Sequence, residues 1–520
     1  MKVVTGEEMR RIDEATISRF VPGIDLMERA GQRVFDHIAA AFPVEPGSLT
    51  VSIFLGSGNN AGDGLVVARL FADRGAKVLL HYLQRPEDFS PDAAKNHARL
   101  TALGDNKKIV EHFLYLAGWQ ELVQRALEES DLIVDALLGT GLSTPVREEY
   151  SAVLDIMNAS DLPIVAVDIP SGVNADTGEM MGNAVVADIT VTMGLPKIGC
   201  LFYPGKECAG ELITADIGIP GEILDEQKLT CAAIDFEQAL EDLPYRAPTA
   251  HKFARGSLLV IAGSRRYAGA AYLTALSALK TGCGIVYCAG PESIRPVLQS
   301  SAPEVIFVSL PETDTGSIAY SARETIFKDI RFDAVAIGPG LTTEEETAWF
   351  VQYILEHSPK PLLIDADGLN ALEGKLAEIT RAANGREIVI SPHSGELKRL
   401  ARKSAPELPV ARIDWLRSLV AGTGVTIVHK GAPTVIVHPD GRADINVHGH
   451  PGQATAGSGD VLTGAIAGFL AQGCGAAQAS RLGVYLNSRA AEIAACDLGE
   501  RGMIAGDCMR ALPLALKELE

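Results

Sequence analysis

Apolar runs alternate with helix-like segments along the first half of the chain. Stretches that predict strands lie at Leu49–Gly56, Ala76–Leu83, Asp131–Gly139, Leu162–Pro170 and Ala187–Gly194. Apolar residues at helical spacing mark Thr5–Phe20, Gly23–Ala41 and Asp63–Arg74. Strands that are apolar throughout and are separated by helices are typical of a parallel sheet covered on both faces. The pattern therefore predicts an α/β domain.

A second series of the same kind fills the second half. Residues 220–255 interrupt the rhythm with charged and proline-containing sequence, and we place a domain boundary there. Further strands are predicted at Gly256–Ser264, Phe332–Gly340, Lys360–Gly368, Arg386–Glu396 and Gly424–Pro433, with a hairpin around Thr434–Gly441 and Ala/Gly-rich helices from Gly459 onward. The chain is thus predicted to be α/β, with two domains at residues 1–226 and 227–520.

Composition and charge narrow the classes of function. The 46 Lys and Arg residues against 66 Asp and Glu residues give a net charge of −20, which argues against nucleic acid as a partner. No apolar run is long enough to span a bilayer, and the N-terminus has no apolar signal region. The 8 cysteines are scattered without metal-ligand spacing. We expect a cytoplasmic protein with reduced thiols and without membrane partners.

A glycine-rich loop, GSGNNAGDG at Gly56–Gly64, links the first predicted strand to a helix. Glycines let the backbone approach a phosphate closely, and a helix N-terminus carries partial positive charge. A tight turn alone would also use glycine. The Asn59 and Asn60 amides and the Asp63 carboxylate are not required for a turn, so they favour a binding site.

Two more strand ends in the first half carry carboxylates, Asp135 and Asp168. Ligands of open parallel sheets bind outside the carboxyl ends of the strands, so these loops are expected to meet. Either carboxylate alone could simply cap a turn. Asn60, Asp135 and Ser171 offer hard oxygen donors for a cation. Lys197 either neutralises an anionic ligand or is a solvated surface lysine.

These three motifs, GSGNNAGDG, DALLGTG and DIPSGVNADTG, resemble those of the NAD(P)H-hydrate epimerase family over roughly residues 1–220, with Ala61 where that family commonly has glycine. The resemblance implies a Rossmann-like three-layer α/β/α sandwich. It also implies potassium held by Asn60, Asp135 and Ser171. The implied hydrate contacts are Asn59, Asn60, Ala61, Gly62, Asp63, Gly139, Thr140, Gly141, Leu142, Ser143, Thr144, Pro145, Tyr150 and Asp168.

The implied reaction interconverts the R and S forms of hydrated NADH or NADPH. The hydrate carries a hydroxyl on the ring carbon next to nitrogen, and this centre inverts if its C–O bond breaks reversibly. A positioned carboxylate can move the proton that this step requires. We assign that role to Asp168 as a hypothesis.

The strongest signal in the second half is AGSGD, directly before a long Ala/Gly-rich helix. Its amides would form an anion hole beside Asp460, the pairing of donors and base that phosphoryl transfer requires. An ordinary capped helix explains Asp460 but not the two glycines around Ser458. Lys430 lies in a second glycine turn, and His393 lies at a strand end. The sequence contains no Walker A motif.

Together with IAGSRRYAGAA, GPGL, DADGLN, SPHSGE and KGAPT, this motif resembles the ribokinase-like superfamily, and within it the ADP-dependent NAD(P)H-hydrate dehydratases, over roughly residues 243–520. The resemblance implies a ribokinase-like domain in which Asp460 deprotonates the ring hydroxyl. Gly340, His393 and Asp460 would contact the hydrate. ADP would bind at Lys430, Gly431, Ala432, Pro433 and Thr434 and at Thr455, Ala456, Gly457, Ser458 and Gly459. Magnesium is expected as a counter-ion of the phosphates.

The sequence thus predicts a fused repair enzyme, an epimerase followed by a dehydratase for the S form that consumes ADP. We expect small-molecule substrates and a homo-oligomer. The main alternative is a ribokinase-like small-molecule kinase fused to a nucleotide-binding sensor or scaffold domain. The products distinguish them, because the repair enzyme releases phosphate and NAD(P)H, whereas the kinase yields a stable phosphomonoester.

Overall fold

The computed structural model describes residues 1–104 and 108–520. The chain forms two compact units, one built from Lys2–Leu229 and the other from most of residues 230–520. Both units are α/β with largely parallel sheets, so the predicted fold class is confirmed. Among the described residues, no helix combines the length and apolarity needed to cross a membrane.

The first unit is a seven-stranded parallel sheet in the order β4-β3-β2-β5-β6-β7-β8. Its strands are β2 (Thr50–Leu55), β3 (Lys77–Tyr82), β4 (Ile109–Phe113), β5 (Leu132–Ala136), β6 (Ile164–Val167), β7 (Ile189–Met193) and β8 (Glu211–Ala215). A short strand β1 (Lys2–Val3) comes before them in the chain and does not belong to this sheet. Strand order reverses between β2 and β5, which creates a crevice at the carboxyl ends of those two strands.

Helices cover both faces of this sheet. They are α1 (Gly6–Arg19), α2 (Gly23–Ala41), α3 (Asn59–Asp73), α4 (Pro91–Thr101), α5 (Trp119–Glu128), α6 (Glu148–Asn158), α7 (Gly205–Ala209) and α8 (Gly221–Glu226). A capping box starts α1: the Glu8 amide donates to Thr5 Oγ1 at 3.1 Å, and the Thr5 amide donates to Glu8 Oε2 at 2.8 Å. One core packs α2 and α3 on the sheet, and another packs α5 and α6 on its opposite face.

The sheet of the second unit runs β9-β18-β17-β16-β15-β14-β13-β10-β11-β12. Its strands are β9 (Cys231–Ile234), β10 (Ser257–Ile261), β11 (Ile285–Pro291), β12 (Ile306–Leu310), β13 (Ala334–Ile337), β14 (Leu362–Ile364), β15 (Ile388–Ile390), β16 (Val425–His429), β17 (Val435–Val437) and β18 (Ala443–Asn446). The two antiparallel pairs in this set are β16 with β17 and β17 with β18. The second of these is the hairpin predicted around the Asp-Gly turn.

The helices of the second unit are α9 (Phe236–Asp242), α10 (Ala268–Lys280), α11 (Arg295–Ser301), α12 (Glu345–His357), α13 (Asp367–Asn370), α14 (Leu376–Ala382), α15 (Ser394–Ala401), α16 (Pro409–Val420), α17 (Ser458–Ala471), α18 (Ala476–Leu498) and α19 (Ala505–Lys517). Small residues let some of them approach closely. A Cβ placed on Gly464 of α17 would lie 2.2 Å from the Thr274 carbonyl oxygen of α10. All eight cysteines are free thiols, and seven of them are buried, with Cys496 exposed.

Candidate active sites

A cavity of about 520 Å³ opens at the carboxyl ends of β2 and β5; we call it the N-terminal cavity. Nine of the residues predicted to contact the hydrate line it: Asn59, Asn60, Asp63, Gly139, Thr140, Gly141, Leu142, Tyr150 and Asp168. Ala61 and Gly62 are buried in α3, and Ser143, Thr144 and Pro145 are exposed on the following loop. The loops that the sequence analysis expected to meet therefore do meet.

The three predicted potassium ligands form one connected cluster beside this cavity. Ser171 Oγ donates to Asp135 Oδ1 at 2.6 Å, and the Ser171 amide donates to Asp135 Oδ2 at 2.8 Å. Asn60 Nδ2 donates to the Leu138 carbonyl at 3.0 Å, while Asn60 Oδ1 is buried without a hydrogen-bond partner. Burial raises the pKa of Asp135 to about 6, although bonds from Ser171 oppose this. The unpartnered Asn60 oxygen and the buried Asp135 carboxylate are linked through Leu138 and Ser171, and oxygens of these types suit a hard monovalent cation.

Asp168 lies in an ion pair with Lys197 at the end of β6. The Lys197 side chain is fully buried, so the alternative of a solvated surface lysine is wrong. Its ammonium also donates to Thr192 Oγ1 at 3.0 Å and to the Met193 carbonyl at 3.2 Å. Within the described residues, every hydrogen bond to Asp168 ends on Oδ1, including that from the Met193 amide at 2.9 Å. The second oxygen, Oδ2, is free to act on a ligand.

Two further carboxyl groups, Asp13 of α1 and Asp63 of α3, line the same cavity. Burial and the nearby charge of Asp168 raise the pKa of Asp13 to about 7, against the attraction of Lys197. Burial, then the charges of Asp168 and Asp13, raise the pKa of Asp63 well above its usual range. The cavity thus combines one ion-paired carboxylate with two carboxyl groups that favour their neutral form, an arrangement suited to acid–base chemistry.

The second unit has a cavity of about 390 Å³, which we call the C-terminal cavity. It is lined by Arg266, Tyr267, Ala270, Gly340, Thr342, Thr343, Asp367 and Asp460. The structure therefore brings the predicted residues Gly340 and Asp460 together. Burial, with the charges of Asp365 and Asp367, raises the pKa of Asp460 to about 7, against the attraction of Lys430. A carboxyl group with that pKa can exchange a proton near neutral pH.

Asp460 lies in the first turn of α17, where backbone N–H groups have no acceptor within the helix. Gly457 precedes the helix with a left-handed φ of 93°, a conformation that favours glycine. Ser458 is tied back, because its Oγ donates to the Gln453 carbonyl at 2.7 Å. The Gly459 amide lies in this first turn of α17, and a helix N-terminus of this kind suits a phosphate group.

A buried polar network supports this helix end. Lys430 Nζ donates to Asp365 Oδ1 at 2.6 Å and lies 3.7 Å from Glu396 Oε2. Thr463 of α17 donates to Asp365 Oδ2 at 2.6 Å. Burial lowers the pKa of Lys430, but the nearby Asp365 and Glu396 carboxylates stabilise its charged form more strongly. The pKa of Lys430 is therefore raised. Lys430 thus stabilises the start of α17 through Asp365. The sequence analysis predicted a role for Lys430 in ADP binding and did not predict this contact.

His393 is the N-cap residue of α15: its Nδ1 accepts from the Gly395 amide at 2.9 Å. His393 and the 430–434 loop lie outside the lining of the C-terminal cavity. Sequence reasoning did not single out Asp13, Asp365, Arg266 or Tyr267. Asp365 lies in the DADGLN motif, and Arg266 and Tyr267 lie in the GSRRY part of IAGSRRYAGAA, so these motifs could have pointed to them. Asp13 resembles any polar residue of an amphipathic helix, and no motif marks it.

Each unit therefore places a half-buried carboxyl group of raised pKa in a cavity beside a helix N-terminus or a cluster of oxygen ligands. These features define a two-site α/β enzyme. A family profile described as NAD(P)H-hydrate dehydratase matches residues 258–514, and one described as YjeF-related protein N-terminus matches residues 23–199.

Several curated proteins match along the whole chain. The bifunctional NAD(P)H-hydrate repair enzyme Nnr of Thermofilum pendens is 40% identical, over 100% of this chain and 97% of its own length. The Moorella thermoacetica enzyme of the same name is 39% identical over 100% of this chain and 97% of its own length. The chain belongs to the family of bifunctional NAD(P)H-hydrate repair enzymes, and the resemblance seen in its motifs is confirmed.

Solved structures are also similar to part of this chain. One of them is the ADP/ATP-dependent NAD(P)H-hydrate dehydratase from Bacillus subtilis, co-crystallised with ATP and Mg²⁺. It is 29% identical and covers 56% of this chain and 99% of its own, with a TM-score of 0.49.

Proposed function

We propose that the enzyme repairs hydrated NADH and NADPH in two steps. The first domain interconverts the R and S hydrates, and the second dehydrates the S form at the expense of ADP, giving NAD(P)H, AMP and phosphate. The observation that carries this proposal is the pair of cavities, each lined by at least one carboxyl group of raised pKa, in a chain that matches its relatives end to end.

For the epimerase step, the ring C–O bond breaks as a neutral carboxyl group donates its proton to the departing hydroxyl. Water leaves, and the electron pair of the ring nitrogen stabilises the cation. Water then adds to the opposite face of the ring, and a carboxylate accepts its proton. We assign Asp168 Oδ2 as the acceptor and Asp13 as the donor, because both line the cavity and approach from different elements.

Potassium fits the cluster beside the N-terminal cavity. Asn60 Oδ1, the Asp135 carboxylate and Ser171 Oγ are the oxygens that would hold it. When bound, it would supply positive charge to an anionic substrate and satisfy the unpartnered Asn60 oxygen. The chain's own part is to orient these oxygens through the Ser171 and Leu138 backbone amides.

For the dehydratase step, Asp460 takes the proton of the ring hydroxyl as that oxygen attacks the terminal phosphoryl group of ADP. The P–O bond to AMP breaks, the phosphate ester forms, and phosphate then leaves with loss of a ring proton to restore the double bond. The 430–434 loop and Thr455–Gly459 are proposed to hold ADP, and His393 to contact the hydrate. Arg266, which lines the cavity, adds positive charge for the phosphates.

Magnesium is proposed to arrive with the nucleotide. Within the part of the chain that the structure describes, no group of three or more His, Cys, Asp or Glu side chains could hold a metal ion. Magnesium is commonly held by only one or two carboxylates together with substrate phosphates, which agrees with that finding. In the C-terminal cavity, Asp460 and Asp367 are the lining carboxylates that could hold magnesium in this way.

The test is to incubate the enzyme with mixed hydrate epimers and ADP and to follow the reduced-nicotinamide absorbance band together with phosphate release. We expect both signals to rise in equal amounts, with AMP as the second product. A stable phosphomonoester without NAD(P)H would contradict the proposal and identify a small-molecule kinase. Recovery of unchanged hydrate would instead identify a binding protein.

We also propose a cytoplasmic homo-oligomer. The eight free thiols suit a reducing compartment, and the net charge of −20 disfavours a nucleic-acid partner.

A further inference from the structure

A second cavity in the first unit has no part in the proposed chemistry. It has a volume of about 650 Å³, and we call it the edge cavity. Its walls are Leu83 and Gln84 after β3, residues 114–120 after β4, and Arg147, Glu149 and Val153 at the start of α6. It therefore lies at the carboxyl edge of the sheet, as the N-terminal cavity does. It is next to β3 and β4, whereas the N-terminal cavity is next to β2 and β5.

The lining of the edge cavity suits a planar aromatic ring carrying negative charge nearby. Trp119 is half-buried, Tyr115 is 41% exposed, and Leu83 and Leu114 form a buried floor. The Arg85 guanidinium lies 5.4 Å from the centre of the Tyr115 ring. Flat aromatic side chains stack on nucleobases, and arginine pairs with phosphate groups.

The linings of the two cavities approach each other at the start of α6. Leu137–Leu142 line the N-terminal cavity, and the same loop continues to Arg147, which lines the edge cavity. Tyr150, one turn further along α6, lines the N-terminal cavity again, and the Arg147 guanidinium lies 5.1 Å from its ring centre. Arg147 also lies 3.7 Å from Glu149, an exposed pair that leaves its cation accessible.

The topology of the sheet indicates which kind of ligand would occupy both cavities at once. In a doubly wound sheet a dinucleotide crosses the point where strand order reverses, with one nucleotide half on each side. Here the reversal lies between β2 and β5, the N-terminal cavity lies at those strands, and the edge cavity lies on the β3–β4 side. We propose that the edge cavity binds the adenosine half of the hydrated dinucleotide while the damaged ring occupies the N-terminal cavity.

This proposal rests on the proposed epimerase function and names a part of its substrate. In it, the adenine ring stacks against Trp119 and Tyr115, and Arg147 faces the phosphates between the two halves. The edge cavity contributes binding but no proton transfer. Its loss is therefore expected to raise KM while leaving kcat unchanged.

The experiment compares two substrates, hydrated NADH and the hydrate of reduced nicotinamide mononucleotide, which lacks the adenosine half. Epimer exchange is followed by chromatography with the full-length enzyme, and spontaneous exchange is subtracted. For Trp119→Ala we expect KM for hydrated NADH to rise about tenfold, the size of one lost base–aromatic contact. With the mononucleotide hydrate, Trp119→Ala and the wild type should behave alike.

Leu122→Ala is the matched control, since Leu122 is also exposed on α5 but lies outside the cavity lining. It should leave both KM values unchanged. The proposal is overturned if Trp119→Ala leaves KM for hydrated NADH unchanged, if it changes both substrates equally, or if it alters the oligomeric mass, which would make this surface a subunit interface. A wild-type enzyme that epimerises neither hydrate would instead refute the proposed function.

Discussion

The raised pKa of Asp13 results from where its side chain lies in the N-terminal cavity. Asp13 projects from α1 into the N-terminal cavity, where burial and the nearby Asp168 carboxylate both favour its neutral form and raise its pKa to about 7. A carboxyl group with that pKa is still protonated in an appreciable fraction of molecules at neutral pH, whereas an exposed aspartate is not. Asp13 can therefore donate a proton to a departing hydroxyl.

Asp13→Asn is expected to slow epimer exchange about 100-fold, since one positioned acid contributes roughly that factor or more. In the wild type the donor must be protonated, so the exchange rate should fall as pH rises through about 7. The asparagine variant cannot titrate and should lose this decline. The measurement is the pH profile of epimer exchange, corrected for the spontaneous rate.

The control for this prediction is Asp63→Asn, which removes the other carboxyl group of raised pKa in the same cavity. It should retain the decline near pH 7. If Asp63→Asn loses the decline and Asp13→Asn keeps it, the proton donor is Asp63 and not Asp13.

Single residues also show where sequence reasoning succeeds. Asn60, Asp135 and Asp168 could be placed because each lies at or shortly after the end of an apolar strand, and strand ends of a parallel sheet converge. Lys197 could not be placed, because nothing in MGLPKIG shows that its side chain is fully buried against Asp168. Such an ion pair depends on where two loops end in space.

At the scale of elements, helix packing in the second unit depends on small residues. Gly464→Ala is expected to destabilise the protein by about 1–3 kcal/mol, since its new Cβ would overlap the Thr274 carbonyl oxygen and force α10 and α17 apart. Gly269→Ala on α10 is the matched control, because no atom lies within 4 Å of its added Cβ. It should be neutral or slightly stabilising, as alanine favours a helix more than glycine does.

Denaturant unfolding of both variants, followed by circular dichroism, measures this difference. Equal stability of the two variants would show that α10 and α17 adjust without cost.

Elements also differ in how well sequence predicts them. The central strands β2, β5, β10 and β13 are buried along nearly their whole length, and their continuous apolar runs are visible in the sequence. The strands that sequence analysis did not single out include β4, β8 and β12, at sheet edges. Exposed and half-buried residues dominate them, so they lack an apolar run and depend on pairing for their structure.

At the scale of the whole molecule, the two sites are proposed to act in sequence on one substrate. With a mixture of equal R and S hydrate, an enzyme whose epimerase site is disabled by Asp168→Asn should stall near half conversion to NAD(P)H. The second domain would exhaust the S form and leave the R form. The measurement is the final absorbance of the reduced nicotinamide, read before spontaneous exchange becomes appreciable.

An Asp460→Asn variant supplies the reciprocal control, because it should convert neither epimer while still exchanging them. Completion at the normal rate in the Asp168→Asn enzyme would contradict this division of labour.

The buried thiols have a consequence for how the protein responds to oxidants. Burial raises the pKa of Cys200, Cys288 and Cys474 to about 12, and the thiolate is the form that oxidants attack. Seven of the eight cysteines are buried, and among the residues that the structure describes no cysteine lines either of the two proposed active sites. Oxidants are therefore expected to modify the exposed Cys496 before any of the buried thiols.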